Sequence, residues 1–138
     1  MTSRVDPNRS NATMQVSLGI FAMLNSSALR LSIIVGTVLQ LVMVVAGHFI
    51  PIVAQGFAIG GMSISAIAGL LYARHRSGAW KWQILGAAIA GGVCALIGIV
   101  VSFWLGDVSA VILIIGAASS AVTGAMGGVF GQVTAHRR

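Results

Sequence analysis

What this chain lacks is charge. Of its 138 residues only 7% are Asp, Glu, Lys or Arg, and only two of those are acids, Asp6 and Asp107. A soluble domain carries about a quarter charged residues, so no water-facing surface can be assembled from the residues after position 30. No carboxylate, lysine or arginine falls inside the long apolar runs, which argues against a charge-coupled pump. There is one cysteine, Cys94, so neither a disulfide nor a cysteine-based zinc site can form within the chain. The only prolines are Pro7 and Pro51, which leaves each run free to continue as helix.

What is present is apolar sequence, 57% of the chain, with a mean hydropathy of +0.98. About 20 consecutive apolar residues cross the hydrocarbon core as helix. Four such runs occur, about 31–50, 52–72, 83–105 and 108–133, separated by Pro51, by the polar stretch ARHRSGAWK and by Gly106-Asp107. Transmembrane β-strands alternate polar and apolar positions over shorter segments, and these runs do not. The expected fold is therefore an all-α integral membrane protein. Residues 31–138 form a single four-helix transmembrane domain, arranged as two antiparallel hairpins because the outer connections are so short. Asp107 is positioned to cap the last helix.

The basic residues set the topology. Arg4, Arg9, Arg30, Arg74, Arg76, Lys81, Arg137 and Arg138 all fall on one side of a four-span chain. Lys and Arg are retained on the cytoplasmic side, so both termini are expected in the cytoplasm, in a bacterial inner membrane. Topology thus accounts for the net charge of +6. Nucleic-acid binding needs a basic face on a soluble module, and there is none.

Residues 1–30 read as a polar, basic segment, whose Ser- and Asn-rich beginning, MTSRVDPNRSNATMQ, is expected to be disordered. Its VSLGIFAML stretch, with Phe21, Met23 and Leu24, is expected to form a short interfacial helix, followed by a cap within Asn25–Ser27. Reading the stretch as a cleaved signal peptide would strand Arg30 on the outer face. Tyr72, Trp80, Lys81, Trp82 and Trp104 sit at run ends, where aromatic rings and snorkelling lysines hold a helix at headgroup level.

Small residues recur four apart. Gly116, Ser120, Gly124 and Gly128 form one series of the last run, with Gly127 and Gly131 beside it. Gly91 and Gly92 stand in the third run, and Gly56 and Gly60 in the second. In lipid, helices associate by close backbone contact, which small residues allow. The last run has small residues on more of its circumference than one neighbour needs, which suggests that besides packing the chain's own hairpins it meets a further chain; packing of the hairpins alone is the alternative. Helix 1, poorer in glycine, is expected to face lipid.

Polar groups in or beside the runs are Gln40, His48, Gln55 and Thr123, with scattered serines. They offer a candidate polar pathway. The sequence has no nucleophile–base constellation, no phosphate-binding loop, and no cofactor or metal motif. Small four-helix multidrug exporters share size and span count alone and rely on an embedded acid missing here, so no family is assigned. The sequence points to a non-enzymatic oligomeric channel or transporter for a small solute or lipid. The alternative is an accessory subunit packing through the glycine-rich last helix against a larger membrane protein. A pore predicts that Gln40 and the serines converge. An accessory role predicts a glycine ridge exposed on the monomer.

Overall fold

The computed structural model describes residues 7–24, 26–75 and 79–135, and all of its regular structure is helical. Arg4, Arg76, Arg137 and Arg138, which carry part of the topology argument, lie outside the described residues, as do Asp6 and Asn25. Helix α1 spans Pro7–Leu24. It takes in the polar PNRSNATMQ stretch as well as the apolar stretch in which a short helix is expected. Proline suits a first helical position, and no further breaker precedes Gly19.

Helix α2 covers Ser27–Phe49, and the Ser26 hydroxyl caps it by accepting from the Leu29 N–H at 3.2 Å. Pro51 disfavours helical backbone at Ile50, which is extended and ends α2. The second run is split. A five-residue α3, Pro51–Gln55, stops at Gly56, and α4, Phe57–His75, comes next. Helix α5 runs Trp80–Trp104 and includes the Trp-Lys-Trp stretch.

The next turn is fixed by Gly106, at φ 81. Its N–H donates to Phe103 O and that of Asp107 to Ser102 O, each at 3.0 Å. These are the paired bonds with which a left-handed glycine closes a helix. Helix α6, Ala110–Ala135, begins three residues past Asp107. The expected Asp107 cap is thus corrected, because that carboxylate is engaged elsewhere. Helices α2, α4, α5 and α6 are each long and apolar enough to cross a membrane.

Helix α2 packs on α4 and α5, and α6 packs on the same two helices. The expected lipid-facing first span therefore needs correction. One stripe of α2, comprising Leu29, Ser32, Gly36, Gln40, Val44 and Gly47, is buried, while Ile34, Val38, Val42 and Val45 are exposed. Two glycines suffice. A Cβ at Gly36 would meet Cys94 Sγ at 2.9 Å and Ala68 Cβ at 3.0 Å, and one at Gly47 would strike the Phe57 ring.

The small residues of helix α6 are met within the chain. Gly124 sits between α4 and α5, where Gly69 faces its carbonyl and a Cβ on Gly91 would lie 2.7 Å from its Cα. Gly127 faces the Ala66 carbonyl, Gly128 the Ala87 methyl, and Gly131 the Leu70 carbonyl, 3.0 Å from where a Cβ would lie. Higher on α6, Gly116 meets Ile99, while Gly92 of α5 meets Ala121. The small residues cover two faces because α6 has two neighbours in its own chain. Gly56 is the exception. Its nearest atom is the local Val53 carbonyl, at 3.4 Å, so it marks a helix break and takes no part in interhelix packing.

Candidate functional site

Polar side chains gather where α2, α4 and α5 meet. Gln40, 3% exposed, donates from Nε2 to the Gly61 carbonyl of α4 at 3.1 Å. The Ser65 hydroxyl donates to the same carbonyl at 2.9 Å. On α5 the side chain of Gln40 is met by Gly98, where a Cβ would lie 2.9 Å from Gln40 Cβ. One turn toward the start of α5 the Cys94 thiol donates to Gly91 O at 3.2 Å. One turn toward the end of α5, Ser102 is buried. Ser32 is buried on the α2 stripe, two turns before Gln40.

This seam obeys a local sequence rule. Ser32-Gly36-Gln40, Gly61-Ser65-Gly69 and Cys94-Gly98-Ser102 each repeat at a spacing of four, which aligns residues on one helix face. Glycine in each series lets the helices close until the neighbouring polar groups touch. The seam is tight, since neither Gly36 nor Gly98 leaves room for a methyl group. Thr37 Oγ1 on α2 and Ser102 Oγ on α5 are buried without a hydrogen-bond partner. A buried polar group left unpaired costs about 1–3 kcal/mol.

The other candidate pathway residues do not join the seam. Thr123, half-buried on α6, donates to Ser120 O of its own helix at 3.1 Å. Gln55 is exposed at the end of α3. His48 is exposed at the end of α2, with its Nδ1 3.1 Å from Asp107 Oδ1 and its ring edge-on to Phe49. That contact joins the α2–α3 turn to the α5–α6 turn. Among the described residues no third metal-binding side chain stands with the pair.

The anchor residues divide. Trp104 is 82% exposed and Trp80 53% exposed, Lys81 is exposed, and Trp82 is half-buried. Tyr72 is corrected. It is fully buried, with its ring against Gly86 of α5, because a glycine opposite makes a slot for it inside the bundle.

Neither the protein-family models, the curated proteins nor the solved structures contain a match to this chain.

Proposed function

We propose that the chain is a non-enzymatic membrane conduit for a small uncharged solute, with the α2–α4–α5 seam as its path. Its spans then form two antiparallel hairpins with both termini in the cytoplasm of a bacterial cell. The observation carrying this reading is that Gln40 and Ser65 share the Gly61 carbonyl beside α5, with Ser32 and Ser102 buried farther along α2 and α5. Without a fixed charge the seam suits a neutral solute, since an ion would have no counter-charge there. With the three helices packed this closely the path is shut. Parting α2 from α4 and α5 would open it, and Thr37 and Ser102 would then find partners in the solute. Water and small polyols are the first solutes to test.

Proteoliposome swelling under an osmotic gradient tests the reading. Flux several times that of protein-free vesicles is expected, with Gln40→Leu and Ser102→Leu slowing it. Rates equal to empty vesicles for every solute would remove the conduit.

A second reading, an accessory subunit, has its own observation. Val111, Ile115, Val122, Met126 and Phe130 form an exposed apolar stripe along α6, which can face lipid or a larger membrane protein. A stoichiometric partner in gently extracted nanodiscs would favour it, whereas a single-species mass of one or more copies of this chain favours the conduit.

A further inference from the structure

An open groove of about 550 Å³ lies at the start of α5, lined by Trp80, Lys81, Trp82, Ile84, Leu85 and Ala88. Its volume falls among those of ligand pockets, about 300–1,000 Å³. Its chemistry is graded along the helix. Lys81 and the two indoles stand at the first turn, and Ile84, Leu85 and Ala88 lie one and two turns deeper. The Lys81 Nζ lies 5.7 Å from the centroid of the Trp82 ring, within reach of a cation–π attraction that holds the ammonium near the groove. Trp82 is itself braced from α1, where a Cβ on Gly19 would come within 3.0 Å of its ring.

From this arrangement we infer that the groove binds one anionic phospholipid, its phosphate at Lys81 and an acyl chain along Ile84, Leu85 and Ala88. Charge complementarity selects this occupant. Lys81 and Arg74 are exposed cations flanking the α4–α5 connection. The only acid among the described residues, Asp107, stands beyond the opposite end of α5. A groove offering cation, indole and aliphatic wall in that order matches a lipid's phosphate, glycerol region and tail. This inference rests on the chain spanning a bilayer and is independent of any conduit.

The test uses tryptophan fluorescence of the full-length Trp104→Phe variant in vesicles, which leaves Trp80 and Trp82 as the only indoles. Quenching by phosphatidylglycerol with brominated acyl chains is compared with quenching by phosphatidylcholine bearing the same chains. Half-quenching is expected at about fivefold less of the anionic lipid, the ratio equivalent to the ~1 kcal/mol one lysine contributes at an anionic surface. Lys81→Gln, at an exposed position, should bring the two lipids together. Equal quenching in the Trp104→Phe parent would mean bulk lipid contact only and overturn the site. A preference that survives Lys81→Gln would place the phosphate elsewhere, with the same consequence.

Discussion

At the scale of single residues, space decides more than polarity does. A methyl group added at Gly69 would strike the Gly124 carbonyl, and one at Gly127 the Ala66 carbonyl. Backbone cannot rotate aside as a side chain can. Gly69→Ala and Gly127→Ala should each cost about 1–3 kcal/mol or more, the usual range for overpacking, read as a lower melting temperature in detergent. Gly56→Ala, with no interhelix neighbour, should stay within about 0.5 kcal/mol of the parent. Gln40 is a gentler case. Hydrogen bonds between membrane helices average about 0.6 kcal/mol, so Gln40→Leu should lose no more than about 1 kcal/mol. Gln40→Ala should lose more, because it also empties the space against Gly98. Both variants lack the hydrogen bond, so a leucine variant worse than the alanine one would mean that its branched side chain fits the space against Gly98 worse than an empty site does.

The elements show what could be read from the sequence and what could not. The four spans were legible because apolar length and breakers are local properties, and α2 and α4–α6 fall close to the expected runs. The helical course of the polar PNRSNATMQ stretch was not. Its Ser and Asn content suggested an irregular chain, and the docking of Gly19 on Trp82, which supports α1, is a contact between distant residues. The Tyr72 slot was hidden for the same reason, since only the facing Gly86 distinguishes a buried tyrosine from an anchor at a helix end. For the small-residue ridges of α6, periodicity gave a face without saying what meets it, and within the chain Gly69, Gly91 and Ala66 do. In contrast, the three series spaced by four that build the polar seam were present in the sequence and could have been combined. Two predictions belong at this scale. Gly19→Leu should force α1 from Trp82, raising amide exchange in α1 while exchange in α4–α6 stays unchanged. Asp107→Asn should lower stability by no more than about 1 kcal/mol, as expected for an exposed pair, since the His48 contact joins two turns already fixed by Pro51 and Gly106.

For the whole molecule, burial of the α6 glycines changes what bulk should do there. Were the ridge an interface between chains, Gly124→Leu would yield a folded but dissociated protein. In this fold Gly124 is wedged between Gly69 and Gly91, so leucine must separate α6 from both α4 and α5. The expected outcome is a chain that inserts yet shows loss of its cooperative melting transition and exposure of the Cys94 thiol, buried in the parent, to maleimide. A folded Gly124→Leu protein with Cys94 still protected would mean that the packing against α4 and α5 is not what holds the molecule together. The same thiol gives a means of fixing topology. With Cys94→Ala as background, Asp107→Cys should react with a membrane-impermeant maleimide in intact cells, whereas Ala79→Cys should react only after the membrane is opened. These two positions flank the length of α5, so one labelling pattern orients that helix directly and the other spans through their connections to it. The reverse pattern would put the Lys- and Arg-bearing side outside, against the charge rule. The lysine of the α5 groove would then face the outer leaflet, and the anionic-lipid site would have to draw its ligand from there.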